Sequence, residues 1–221
     1  MVTLDRKVIR NTLILVLLIL VLADLIGPVI GVTSTFSLDR PGSLGVWFES
    51  LLYILSAGLL ALIAIEHIQR KDPTGWRWGL FALFILYLSA NTNARLNSKI
   101  FFTLFRLYRS SLMYIFLQLL FIVLVITLIV IFWPVLRGLP AQYRRMLIRS
   151  GVIFGMGAIL VDAVSSFFFH GTNTWFYLLE EMLEYSGFVL FIDAILAYLG
   201  AEMGTIRLKL RQDDPPMPEG S

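Results

Sequence analysis

Apolar residues in this chain come in long blocks, not in the alternating stripes of a soluble domain. Six such blocks, at about residues 12–32, 44–68, 76–94, 112–136, 146–169 and 175–199, are separated by short polar breaks. A helix rises 1.5 Å per residue, so ~20 apolar residues cross the hydrocarbon of a bilayer. The pattern predicts an all-α fold: a polytopic transmembrane helical bundle of six spans, forming a single domain over residues 1–211. The charged and then proline-rich end, residues 212–221, is expected to be a disordered tail.

Span one follows the basic start Arg6, Lys7 and Arg10. Val21-Leu22-Ala23 has the small-residue look of a signal-peptide cleavage site, but the apolar run continues past it, so an uncleaved span is expected. Pro28 cannot donate to the carbonyl four residues back, which frees the Asp24 carbonyl beside its own carboxylate. A neighbouring hydroxyl or water ordinarily satisfies such a kink; two oxygens there would also suit a cation. Residues 34–43, with Asp39, Arg40, Pro41 and Gly42, predict a short polar turn. Span two carries Glu49 near its start and Glu66-His67 at its end, the latter pair expected to snorkel beside Arg70 and Lys71.

Span three ends in the polar run Ser89-Ala-Asn-Thr-Asn-Ala-Arg95. Residues 97–109 then mix bulky apolar groups with cations, the pattern of an amphipathic segment lying in the interface. Span four is apolar nearly all round, Gln118 being its main exception, and is expected to face lipid. In span five, Gly151, Gly155, Ala158, Asp162 and Ser165 recur at steps of four, three, four and three, which is one helical face. Gly151 and Gly155 form a GxxxG element, so a neighbouring helix is expected to approach closely there. Span six puts Glu180, Glu181 and Glu184 within its first ten residues. An ionised acid at membrane depth costs ~2.5 kcal/mol or more, so three in one helix need partners, protons or a cation.

Composition sharpens this picture by exclusion. The chain is 58% hydrophobic and 15% charged, with mean hydropathy +0.81, outside the range of soluble domains. Without cysteine there is no disulfide, thiolate metal site, iron–sulfur cluster or cysteine nucleophile. The net charge of +3 sits mostly in loop arginines with no aromatic-interleaved basic stripe, so no nucleic-acid partner is expected. Placing both termini inside puts Arg6, Lys7, Arg10, Arg70, Lys71, Arg77, Arg137, Arg144, Arg145, Arg149, Arg207, Lys209 and Arg211 on the inner side, against Arg40, Arg95, Lys99, Arg106 and Arg109 outside. That bias favours an N-in, C-in bundle in the plasma (inner) membrane.

In that topology the helical rise puts Asp24 roughly 12 Å below the outer edge, Glu49 roughly 8 Å, Asn91 roughly 5 Å and Asp162 roughly 10 Å. Glu181 and Glu184 fall at roughly 10–15 Å, in the same layer, whereas Asp193 lies near the inner edge. Like charges so placed cannot all ionise in low dielectric, so the expectation is a polar cavity in the outer leaflet holding a cation or protons. Asp162, Glu181 and Glu184 are its main candidate ligands; Asp24, Glu49, Glu180 and Asn91 are lesser ones.

The segment Glu180-Glu-Met-Leu-Glu184-Tyr-Ser-Gly187-Phe-Val-Leu-Phe, with Leu88-Ser89-Ala90-Asn91-Thr92 before it, resembles a group of uncharacterised bacterial multi-pass membrane proteins. In that group the earlier span ends in Leu-Ser-Leu-Asp-Glu and then His-Glu. Here Asn91 and Thr92 stand for the Asp and Glu, and Asn97-Ser98 for the His-Glu. The full set would look like a divalent-metal site, and the exchange removes its strongest ligands. The resemblance implies a multi-pass fold and no particular activity.

Three functions compete on this evidence. A cation- or proton-binding membrane protein, linked to transport, draws on the acid layer and the Asp24/Pro28 kink. An accessory subunit of a larger membrane complex, or a homo-oligomer, would use the glycine-rich span five for packing. A membrane-embedded lipid hydrolase would need more than His67 and His170, which the topology sets on opposite faces.

Overall fold

Helix α1 (Arg6–Ile30) starts where the Asp5 carboxylate accepts from the Lys7 backbone N–H, and it stops at Gly31, whose φ of 76° no longer continues a right-handed helix. The computed structural model describes residues 5–31, 33–38, 40–94, 111–161 and 174–202, together with 96, 99, 103 and 164. Along these the chain continues through α2 (Thr33–Phe36), α3 (Leu44–Gln69), α4 (Gly75–Ala94), α5 (Ser111–Gly138), α6 (Ala141–Gly155) and α7 (Thr174–Glu202). A π turn, Met156–Val161, follows directly on α6. Among the described residues there is no strand, as an apolar environment demands of segments that must satisfy their own backbone.

Three helices are long and apolar enough to cross a membrane: Arg6–Gly27, Leu44–Gln69 and Trp175–Glu202. Helix α5 supplies a shorter apolar stretch, Val123–Gly138. Helix α4 is not among them, because Arg77 and the Asn91-Thr-Asn93 run dilute the apolar residues between. The interfacial segment 97–109 lies mostly outside the described residues; Lys99 and Thr103 are helical, and the Thr103 hydroxyl donates to the Lys99 carbonyl at 2.8 Å.

Helix α7 is the hub. It packs against α1, α3 and α6, and four successive residues, Ile192 to Ile195, are buried, so it is enclosed on every side there. Helix α3 packs along α4, where buried Ser50 and Ser89 exchange hydroxyl-to-carbonyl bonds at 3.5 and 3.2 Å. The Phe188 ring meets Tyr53 edge-on at 4.4 Å and Phe154 at 5.1 Å, and Trp78 lies between Phe132 and Tyr198. By contrast only 17% of the apolar stretch of α1 is buried, against 56% for α7, so α1 is peripheral.

Two expectations need correcting. Residues 34–43 are not simply a polar turn: α2 occupies part of them, and Leu38 is fully buried with its carbonyl accepting from the Tyr185 hydroxyl at 2.7 Å. The GxxxG element is not the close-contact face either. A Cβ on Gly151 or Gly155 would meet nothing within 4 Å. The close approach between α6 and α7 is made instead by Gly187, where a Cβ would lie 2.8 Å from the Phe154 backbone nitrogen, and by Gly157, 2.8 Å from the Glu180 carbonyl. The physical reason is which face the helix turns inward: Ser150 is buried and Phe154 meets Gly187, each one position before a glycine of the motif, so the two glycines fall beside the contact.

Gly187→Ala is therefore expected to destabilise the bundle by about 1–3 kcal/mol, since backbone must move. Gly151→Ala is expected to be neutral or to stabilise by up to ~1 kcal/mol through helix propensity. Unfolding in mild detergent with increasing denaturant compares the two; the reverse ranking would restore the GxxxG face.

Candidate functional site

Glu49 enters α3 one turn after its start and Tyr53 follows four residues later, on the same face. The Tyr53 hydroxyl donates to Glu49 Oε1 at 2.5 Å, and the ring is only 4% exposed. Across the interface on α7, Glu181 and Glu184 lie within electrostatic range of that phenol. Tyr185, buried on the same helix, is within range of both Glu181 and Glu49. Phe188 closes the group from below through its contact with Tyr53.

Two parallel helices thus bring together Glu49, Glu181 and Glu184, three of the acids expected to share a layer. Each is half-buried and engaged with other groups. Glu180 is half-buried too, with its backbone carbonyl against Gly157. Asp24 answers to another charge, Arg40. Asn91 is half-buried near the end of α4 and has its own interactions. Asp162, Ser165, Arg95, Asn97, Ser98 and His170 lie outside the described residues. Among the described residues no three His, Asp or Glu side chains converge tightly enough to hold a metal ion. What the arrangement offers is a set of carboxylates beside phenols in an apolar shell, where a shared proton or a cation relieves the repulsion between like charges.

No protein-family model, curated protein or solved structure matches the chain. Its chemistry is therefore read from its own geometry.

Two polar constellations at the opposite end of the bundle were not singled out in the sequence as sites. Asp193, 4% exposed, receives a fork from Arg6: Nε donates to Oδ1 at 2.7 Å and Nη2 to Oδ2 at 2.5 Å, with Arg10 Nη1 at 3.8 Å. The signal was present, because an N-in bundle sets the start of span one level with the end of span six. The second constellation revises the snorkelling expected of Glu66 and His67. Glu66 does pair with Arg70, at 2.7 Å, but His67 is tied inward. With its carboxylate partner fixing the tautomer, His67 Nδ1–H donates to Asp72 Oδ2 at 2.8 Å and Nε2 accepts from the Tyr198 hydroxyl at 3.1 Å. Asp72 also accepts from the Thr74 backbone N–H at 2.8 Å, closing the turn between α3 and α4.

The Arg6–Asp193 pair is asymmetric in exposure, 38% against 5% for the side chains. Arg6→Leu strands a buried carboxylate and is expected to cost about 3 kcal/mol, the low end for a broken buried pair because Arg6 reaches solvent. Asp193→Asn is expected to cost less, since the freed guanidinium turns to water. Equal losses in denaturant unfolding would contradict that account.

The Thr74 N–H and His67 bonds hold the Asp72 carboxyl down at about 2, from an ordinary 3.8. A carboxyl lowered on folding stabilises above its ordinary value, and that contribution is lost as pH falls from 3.8 through about 2. Asp72 is 36% exposed, so the effect is screened and small. Wild-type melting temperature is expected to fall more over that interval than that of Asp72→Asn; parallel acid profiles would remove Asp72 from the account.

Proposed function

We propose that this chain is a six-span integral membrane protein of a bacterial inner (plasma) membrane, with both termini inside. In this reading its Glu49, Glu181 and Glu184 cluster binds a proton or a cation in the outer leaflet, in the service of transport. The observation that carries the reading is the Tyr53–Glu49 hydrogen bond with Glu181 and Glu184 nearby at the α3–α7 interface. Carboxylates at membrane depth are costly and mark ion or proton pathways more often than they serve packing. The alternation of helix directions supports the topology: the start of α1 meets the last third of α7, while the ends of α3 and α7 share the His67–Tyr198 bond. Nine residues separate Glu184 from Asp193, roughly 14 Å along α7, so the acid cluster and the ion pair mark two different levels of the bundle.

The test is ligand-dependent stability. A cation at a hundred times its dissociation constant stabilises the folded state by about 2.7 kcal/mol, several degrees in melting temperature. Purified protein in detergent is expected to show such a rise with sodium, with a divalent cation, or on mild acidification as protons fill the site. Glu184→Gln and Glu49→Gln are expected to flatten the response. Wild-type melting curves indifferent to both cations and pH would sink the proposal.

A further inference from the structure

Between α4, α5, α6 and α7 lies a cavity of about 340 Å³, separate from the acid cluster. Its wall is built on Phe81, Phe84, Phe132, Phe154, Phe188 and Phe191. Ser150 is the polar side chain on that wall, and its hydroxyl is already given to the Leu147 carbonyl at 2.8 Å. Gly151 opens into the space, with nothing within 4 Å of where a Cβ would stand. The volume falls in the ~300–1,000 Å³ range of small-molecule sites. An apolar void even of ~150 Å³ stays dry and takes apolar ligands, so water is not its natural tenant.

One end of this cavity is flanked by cations. Leu136 on the wall is followed by Arg137, in the last turn of α5. Arg144 sits one turn before Ile148, on the helix face that carries Gly151. Its Nη1 donates to the Arg137 carbonyl at 3.5 Å, which ties the end of α5 to the start of α6 at this lip. The Arg137 guanidinium lies over the Trp133 ring at 5.1 Å. The sequence from Ser111 to Val161 contains no acid at all. Among the described residues, Arg137, Arg144, Arg145 and Arg149 enter no ion pair, while Asp193 is taken by Arg6, and Glu66 and Glu202 by Arg70.

A phenylalanine-lined slot ending at unneutralised arginines complements one kind of molecule: a hydrocarbon tail on an anionic head. We propose that it seats one anionic phospholipid, an acyl chain in the cavity and the phosphate against Arg137 and Arg144. Basic pockets between membrane helices hold anionic headgroups by this chemistry. Positive loops alone would draw an anionic membrane surface without stoichiometry; the cavity adds a saturable single site.

Delipidated full-length protein in detergent, titrated with phosphatidylglycerol or phosphatidylcholine of identical chains and read by native mass spectrometry, tests this. Wild type is expected to retain one phosphatidylglycerol with about tenfold preference over phosphatidylcholine. Gly151→Leu, which fills the cavity, is expected to lose that retention, whereas Gly58→Leu, equally unobstructed but away from the cavity, retains it. Arg137→Gln with Arg144→Gln is expected to abolish the headgroup preference, and this pair decides the matter alone if Gly151→Leu does not fold. Retention unchanged in Gly151→Leu, equal binding of the two lipids by wild type, or unsaturable phosphatidylglycerol binding would each overturn the site.

Discussion

A carboxylate sits on the most enclosed turn of the most enclosed helix, and the bundle has to answer it. Asp193 is flanked by Ile192, Ala194 and Ile195, all buried, so it has no route to solvent along its own helix. Its charge is met from α1 by the forked Arg6 guanidinium, with Arg10 one turn behind. Two parallel N–H···O bonds fix orientation as well as distance, which a single lysine contact would not do. The pairing therefore does more than neutralise. It holds the start of a peripheral helix against the hub, a turn or two before the stretch in which Leu13, Val16, Leu17, Leu20 and Val21 pack into the core. A buried ion pair is weak evidence for net stability, and its best-attested role is in fixing register.

At the other level of α7 the problem is solved differently. Glu49 is met there by a phenol, Tyr53, with Glu181 and Glu184 nearby on α7. Tyrosine hydroxyls offer a donor without a charge, so the Tyr53 bond eases one carboxylate and leaves the sum of negative charge intact. Along one helix hub the chain thus answers one acid with a guanidinium fork and sets a phenol beside another group of acids.

The helical class and the positions of the blocks were legible because long apolar runs leave a backbone no alternative. The bounds of α3, Leu44–Gln69, fall within a residue of the expected 44–68, and α7, Thr174–Glu202, extends the expected 175–199 by a turn. Glu49, Glu181 and Glu184 lie within electrostatic range of Tyr53, since depth along the parallel α3 and α7 follows from counting residues. The α6–α7 contact was not legible, because a pair of glycines four apart marks where a helix could approach but not which face is turned inward, and that face runs through Ser150 and Phe154. Nor was the linker: Leu38 becomes fully buried through a turn of α2 too short to leave a periodic signal. Tyr53 itself hides in plain view, a tyrosine in an apolar run being far more often packing than a partner for an acid four residues away.

The gap beside α6 has a cause in the same contact. Gly157 and Gly187 let α6 and α7 approach until backbone meets side chain, while α5 presents bulky side chains on every face and packs against α4. A helix of that girth cannot follow α6 into the groove, so the cavity is what remains between a close pair and a wide neighbour. Phe188 stands at the junction of both polar and apolar features: its ring meets Tyr53 edge-on at 4.4 Å and also lines the cavity. In a close-packed interior a ring cannot shift on one side without being felt on the other. Phe188 is thus a ring that borders both the phenylalanine cavity and the Tyr53–Glu49 pair.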